Sequence, residues 1–162
     1  MLEHLCALLR SALNRSRAEE TTLGEELDLI DAYLNIQQIR MGQRLGSCIE
    51  VPDELRVLRL PPMLLQPLVE NAIVHGVEGH SAGGAVTVRA SRQADQLTIE
   101  ILDEPLGDDS IAPTTFSGTG HGATLGNLRA RLQALFGDRA SFHLTQRAGN
   151  GSCSTLRLPV HT

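Results

Sequence analysis

A short run in the middle of the chain places a carboxylate, a carboxamide and an imidazole close together, at Glu70, Asn71 and His75. Carboxylate and carboxamide oxygens are hard ligands that suit Mg²⁺, which keeps several waters and takes few protein oxygens. In a helix, Asn71 and His75 would lie one turn apart at the margin of an apolar face. A polar pair there could meet a ligand without entering the core. The alternative is an amphipathic helix with a frayed polar end, and spacing alone does not separate the two.

The element expected to carry these side chains is a helix within residues 60–76. Pro61 and Pro62 suit a helix entry, where the first N–H groups have no intrahelical partner. Gly76 would provide a left-handed exit. The predicted buried face consists of Leu65, Leu68, Val69, Ala72 and Ile73.

A second carboxylate lies at the end of a predicted strand, residues 97–103. Side chains alternate along a strand, so Asp103 shares a face with Leu97, Ile99 and Ile101. The carboxylate would therefore point toward the core side of the sheet, where it needs a hydrogen-bond donor. A strand-end Asp that only caps a turn is the alternative.

A long polar stretch, residues 104–123, follows this strand. Connections longer than roughly 12 to 15 residues are typical of functional lids or of disorder. Its glycine-rich end leads into a helix predicted for residues 125–136, with Gly137 as C-cap. Glycines before a helix expose N–H groups that can bind phosphate. This pattern does not identify a site by itself.

The remaining pattern predicts a mixed α/β fold. Two amphipathic helices are expected near residues 2–17 and 22–44, the second with a capping box formed by Thr22 and Glu25. Such helices must bury their apolar faces against each other, the next domain or a second chain. Further strands are predicted at residues 47–51, 85–90, 140–147 and 152–160, the last two joined through Asn150-Gly151. The expected architecture is a two-layer α/β sandwich, a mixed sheet with helices on one face.

Composition excludes several classes of protein. The chain has 162 residues, a net charge of −5 and 41% hydrophobic residues. There is no extended basic surface, which argues against direct nucleic-acid binding. No apolar run approaches the roughly 20 residues of a membrane span, and no signal peptide is visible. The odd, widely spaced cysteines favour reduced thiols over disulfides or a zinc site; they are Cys6, Cys48 and Cys153.

The order of these features resembles the LytS-like sensor histidine kinases, whose catalytic domain belongs to the gyrase/Hsp90/histidine kinase/MutL superfamily. Residues 65–76, Leu-Gln-Pro-Leu-Val-Glu-Asn-Ala-Ile-Val-His-Gly, are similar to the N box of that family. Residues 25–40 are similar to the end of its helical dimerisation unit. The resemblance implies a Bergerat-type ATP-binding fold, with residues 1–46 as the end of the helical region and residues 47–162 as the catalytic domain.

The resemblance also implies a role for each candidate residue, with ATP and Mg²⁺ as the cofactors. Asn71 would hold Mg²⁺, with Glu70 and His75 beside the metal and phosphates and Glu70 assisting the attacking imidazole. Asp103 would accept a hydrogen bond from the adenine amino group, near the Ser152 hydroxyl. The second glycine box and the lid would supply further nucleotide contacts, from Gly118, Gly120, Gly122, Leu125 and Arg129.

Three positions depart from the family pattern. Val74 stands where many relatives have Lys, Pro105 interrupts the first glycine box, and Thr124 replaces a glycine of the second. The phosphoacceptor motif is also missing, because the surroundings of His4 do not match it. We therefore expect a fragment of a longer kinase, or an artificial start at Met1.

The sequence thus predicts the ATP-binding catalytic domain of a two-component sensor histidine kinase. It would transfer the γ-phosphoryl group to a His outside these residues, for relay to a response regulator of LytTR type. Homodimerisation through the N-terminal helices and a cytoplasmic location within a membrane-anchored parent are expected. Three alternatives stay open: a degenerate ATP-sensing or phosphatase-controlling module, a nucleotide-independent docking module, and a gyrase- or MutL-type ATPase.

Overall fold

The computed structural model describes residues 2–16, 20–106, 121–147 and 151–160. Short 3₁₀ turns connect several of the elements. The α-helices are α1 (Leu2–Ser16), α2 (Leu23–Met41), α3 (Gln66–Asn71) and α4 (His121–Phe136), and a π-helical turn, Ala72–Val77, continues α3. The strands are β1 (Thr21–Thr22), β2 (Leu45–Glu50), β3 (Arg59–Leu60), β4 (Gly84–Gln93), β5 (Gln96–Pro105), β6 (Ser141–Gln146) and β7 (Ser152–Pro159).

Five strands form one mixed sheet in the order β2-β4-β5-β7-β6. β2 runs parallel to β4, and the other neighbours are antiparallel. A small second sheet joins β1 to β3. The predicted mixed α/β architecture is confirmed. Each predicted strand is present, within a few residues of its expected ends.

The alternation along β5 has the predicted consequence. Leu97, Ile99 and Ile101 are fully or almost fully buried, and Asp103 follows them with the same parity. They belong to a core cluster that includes leucines of α2, α3 and α4. The sheet therefore carries the Asp103 carboxylate to the side that the helices cover.

Helix α2 is part of this core. Thr22 Oγ1 accepts a hydrogen bond from the Glu25 N–H and the Glu25 carboxylate accepts one from the Thr22 N–H, which confirms the capping box. The helix ends at Met41, three residues earlier than predicted, and a 3₁₀ turn follows. Five of its buried side chains join the same cluster as the sheet, and they are Leu23, Leu27, Ile30, Leu34 and Met41.

The predicted ends of the central helix are wrong. Pro61 and Pro62 precede the helix, which begins at Gln66 with Pro67 in its first turn. The reason is Met63, whose φ of 61° is incompatible with a right-handed helix. The predicted buried face itself is confirmed, since all five of its side chains are buried. Among the residues that the structure describes, no helix combines the length and apolar content of a membrane span.

Candidate functional site

The centre of the site is the junction of α3 with the π-helical turn. The N–H of Glu78 donates to the carbonyl of Ile73 at 2.8 Å, a bond between residues five apart. In a regular α-helix, residues five apart differ by roughly 140° around the axis, whereas bonding between residues i and i+5 stacks them on one side. The turn therefore brings Gly76 toward the side of Asn71. It also leaves His75 exposed while Asn71 is buried, so these two do not share the predicted margin.

Gly76 lies directly against the carboxylate at the end of β5. A Cβ atom at position 76 would lie 2.5 Å from Asp103 Oδ1, closer than any real contact. The predicted role of Gly76 as a left-handed helix exit is wrong, because the chain continues through it as a helical turn. Its missing side chain instead allows the helix and Asp103 to approach each other.

Two hydrogen bonds from Ser152 hold the Asp103 carboxylate, which is only 2% exposed. The Ser152 N–H donates to Oδ1 at 3.0 Å, and the Ser152 hydroxyl donates to Oδ2. Asp103 and Ser152 are direct partners across β5 and β7. The predicted inward position of Ser152 is thus observed. Its bonds to Asp103 were not predicted, because the register of two strands so distant in sequence is not visible in the sequence.

The electrostatics of Asp103 reflect its burial. Desolvation raises the pKa of Asp103 above its ordinary value, while the hydrogen bonds from Ser152 and the more distant charges of Arg147 and His80 oppose that rise. An ionised carboxylate offers about four lone-pair positions. Two are used by Ser152, so the group can still accept a hydrogen bond from a ligand.

Asn71 is a buried carboxamide at the end of α3. It is 6% exposed, and its Oδ1 atom has no hydrogen-bond partner in the described part of the chain. A buried amide oxygen without a partner is unfavourable unless a ligand, water or ion satisfies it. A hard oxygen donor of this kind fits Mg²⁺. Across the described ranges, no group of three or more His, Cys, Asp or Glu side chains could hold a metal.

Glu70 lies beside Asn71 but faces outward. Gln66 Nε2 donates to Glu70 Oε1 at 3.2 Å, which confirms that these residues share a flank of the helix. Tyr33 of α2 is nearby, since burial and then the negative charge of Glu70 raise its pKa to about 12. Tyr33 is therefore neutral near pH 7. No pattern in the sequence indicates this neighbour, because it results from the packing of α2 on α3.

The predicted lid residues are only partly accounted for. Gly118 and Gly120 lie outside the described residues. Gly122 is in the first turn of α4, and Leu125 is buried in the core. The Arg129 guanidinium lies 5.0 Å from the centre of the Phe142 ring.

The contact with Phe142 places Arg129 far from the Asp103 carboxylate. Phe142 pairs with Leu156, which pairs with Ile99, four residues along β5 from Asp103. Four residues of strand correspond to about 13 Å. The structure therefore brings Gly76, Asp103 and Ser152 together and places Asn71 on the helix that continues into Gly76. It does not bring Arg129 to the Asp103 end of the sheet.

Comparisons with known proteins show which proteins the chain resembles in sequence and fold. A family model described as histidine kinase matches residues 1–45. Sensor protein LytS of Staphylococcus haemolyticus is 32% identical over 168 residues, covering 100% of this chain and 29% of that protein. Sensor histidine kinase BtsS of Escherichia coli K12 is 34% identical over 159 residues, covering 98% and 27%. The chain thus spans less than a third of the length of these relatives.

Solved structures show the same fold. The histidine kinase domain of the Erythrobacter litoralis EL346 blue-light activated histidine kinase aligns with a TM-score of 0.62 at 19% identity, covering 98% of this chain and 72% of that one. The catalytic domain of histidine kinase ThkA aligns with a TM-score of 0.59 at 16% identity, covering 86% and 93%. Along its whole length the chain is thus homologous to part of the LytS-like sensor histidine kinases, and its fold is that of the solved histidine kinase domains.

Proposed function

We propose that this chain binds Mg²⁺–ATP and provides the catalytic region of a sensor histidine kinase. The γ-phosphoryl group would pass to a histidine outside these residues and then to a response regulator. One observation carries the proposal: the buried Asp103 carboxylate meets, at Gly76, the same helix that buries the unpartnered Asn71 oxygen.

Asp103 is suited to recognise adenine. Ser152 fixes the orientation of the carboxylate and leaves acceptor capacity for the adenine amino group. Burial of the Asp103 carboxylate lowers the stability of the fold, because the hydrogen bonds from Ser152 only partly offset its desolvation. A carboxylate that only accepted hydrogen bonds from Ser152 would therefore be unfavourable at this position.

Asn71 would hold the metal through its Oδ1 atom. When bound, Mg²⁺ neutralises the charge that develops on the transferred phosphoryl group. The contribution of the protein is then to position the nucleotide and to exclude water around it. Glu70 is exposed at the adjacent position, where an imidazole from another helix can reach it. We propose that Glu70 accepts the imidazole proton and that His75 lines the same rim.

The partners follow from the assigned family. Histidine kinase ThkA was solved in complex with the response regulator TrrA, and we propose a response regulator of LytTR type for this chain. Leu2, Leu5 and Leu9 of α1 are exposed apolar side chains, which fits homodimerisation through the N-terminal helices. A cytoplasmic location within a membrane-anchored parent protein is part of the same proposal.

A degenerate ATP-sensing module is the second candidate. The observation that favours it is Val74, which is 40% exposed beside the site where many relatives place a Lys. Without a positively charged side chain at position 74, the protein would neutralise the nucleotide phosphates less well. This loss would slow phosphoryl transfer more than it would weaken adenine recognition. The two candidates therefore differ in phosphoryl transfer and agree in ATP binding.

Calorimetric titration of Mg²⁺–ATP into the wild type and two pairs of variants tests the proposal. Asn71→Ala and Asp103→Ala should each weaken binding on the order of tenfold to a hundredfold, the usual cost of losing a buried polar contact. Asn35→Ala and Asp95→Ala change the same residue types at exposed positions and should bind as the wild type does.

A supplied dimerisation unit with a phosphoacceptor His then separates the candidates. Labelled phosphate should appear on that His with wild type, and Glu70→Gln should slow its appearance without changing ATP affinity. ATP binding without transfer supports the degenerate module. Absence of binding by the wild type would refute both and leave the docking module.

A further inference from the structure

Glu26 is an ionisable side chain in the buried face of α2. The residue is 1% exposed and stands between the core leucines Leu23 and Leu27. Glu is almost never fully buried unless it is hydrogen-bonded or paired. Glu26 Oε1 accepts a hydrogen bond from the backbone N–H of Met63 at 2.9 Å. The partner is thus a main-chain group 37 residues away.

Met63 lies in the turn that leads into α3. Its φ of 61° lies in the left-handed region, which a side chain of its size rarely adopts. Such a conformation persists only where the surroundings hold it. Two residues later, the Leu65 carbonyl accepts hydrogen bonds from the Leu68 and Val69 N–H groups and starts α3. The direction of α3 therefore depends on how the chain leaves Met63.

Helix α2 also contacts the chain before and after the Met63 turn. The Leu23 and Gly24 N–H groups donate to the carbonyls of Leu58 and Arg56, each at 2.8 Å. At the far end, Arg40 forms an ion pair of 2.5 Å with Glu78, just beyond the π-helical turn. These contacts flank the turn, and Glu26 is the α2 side chain bonded to the turn itself.

We propose that Glu26 is a positioning residue for the nucleotide site. By accepting the Met63 N–H, it holds the left-handed turn that aims α3, and through α3 it sets the place of Asn71. The functional part of this inference rests on the proposed ATP binding. The structural part, that Glu26 fixes the conformation of residues 61–71, does not depend on ATP binding.

Three variants separate this role from general stability. Glu26→Leu removes the acceptor, Glu26→Gln keeps an oxygen that can accept the Met63 N–H, and Ile30→Ala truncates the core one turn further along α2. Hydrogen–deuterium exchange of peptides covering residues 61–71 is measured well below the unfolding temperature, together with the Kd for Mg²⁺–ATP. If Glu26→Leu does not fold, Glu26→Asp replaces it, because the shorter side chain withdraws the acceptor and keeps the charge.

Glu26→Leu should raise exchange in residues 61–71 and weaken Mg²⁺–ATP binding, each on the order of tenfold, the effect of one lost buried hydrogen bond. Glu26→Gln should stay within about threefold of wild type in both measurements. Ile30→Ala should lower the unfolding temperature without a local rise in exchange. Equal rises with Ile30→Ala and Glu26→Leu, or no local rise with Glu26→Leu, would overturn the inference. If the wild type binds no ATP, the proposed function fails, and the exchange measurement still decides whether Glu26 holds the turn.

Discussion

At Gly76, the absence of a single methyl group lets the helix approach the strand. A Gly76→Ala change would place its Cβ 2.5 Å from Asp103 Oδ1, so either the carboxylate or the helix must move. We expect a loss of roughly 1 to 3 kcal/mol in the free energy of unfolding, as for other overpacked sites. Because Asp103 is displaced, Mg²⁺–ATP affinity should also fall at least about tenfold.

The matched control for this change lies three residues away. A Cβ at Gly79 would meet no atom within 4 Å, so Gly79→Ala should leave affinity unchanged. Urea denaturation and calorimetric titration of both variants provide the measurements. Equal behaviour of the two variants would contradict the close approach of Gly76 to Asp103.

Asp103 should give stability an unusual dependence on pH. Burial raises its pKa in the folded protein above the ordinary value of 3.8, so the folded state holds this proton more tightly than the unfolded state does. The resulting stabilisation is complete below pH 3.8 and is lost as the pH rises through the folded pKa. The Asp103→Asn variant does not ionise at this position. Relative to wild type, its free energy of unfolding should therefore increase with pH across that window and then level off.

Denaturant titrations of wild type and Asp103→Asn at several pH values between about 3.5 and 8 measure this difference. Mg²⁺–ATP affinity should fall in Asp103→Asn, because one carboxylate oxygen is replaced by an NH₂ group that only donates, and the remaining amide oxygen is a weaker, uncharged acceptor for the adenine amino group. Asp95→Asn, at an exposed turn, is the control for general charge effects. A free energy of unfolding of Asp103→Asn that falls relative to wild type as the pH rises would refute the assignment.

Elements whose determinants are local were predictable from the sequence. The capping box of α2 depends on Thr22 and Glu25, three residues apart, and it is present as predicted. The burial of Asp103 followed from alternation along one strand. The π-helical turn was not predictable, because a 3.6-residue period is assumed throughout residues 65–76 and nothing in that run marks an extra residue per turn. The contacts of Ser152, Glu26 and Tyr33 depend on pairing across long separations, which a single sequence does not encode visibly.

The capping box can be tested at the level of the helix it begins. Thr22→Ala removes the side-chain oxygen that accepts the Glu25 N–H, so unfolding should become easier by about 1 kcal/mol. Thr22→Ser retains the oxygen and should stay close to wild type. Urea titration measures both. A loss of equal size with Ser would show that the methyl group of Thr22, and not its hydroxyl, contributes the stability.

For the molecule as a whole, the central question is whether residues 47–162 fold without α2. The family resemblance implies a boundary near residue 46, yet five large side chains of α2 belong to the same core cluster as the sheet. At roughly 1.5 to 3 kcal/mol for each buried side chain, their removal would cost about 7 to 15 kcal/mol. That is comparable to the whole stability of an ordinary domain, 5 to about 15 kcal/mol. Helix α1 contributes no side chain to the cluster among its described residues.

Two fragments therefore should behave differently. A fragment of residues 20–162 retains α2 and should unfold cooperatively, with a urea midpoint close to that of the full chain. A fragment of residues 47–162 exposes the apolar surface that α2 covers and should lack a cooperative transition. Circular dichroism during urea titration distinguishes the two outcomes. Cooperative unfolding of the shorter fragment would show that the catalytic domain is independent of α2, and that the contacts of Glu26 and Arg40 join two separate domains.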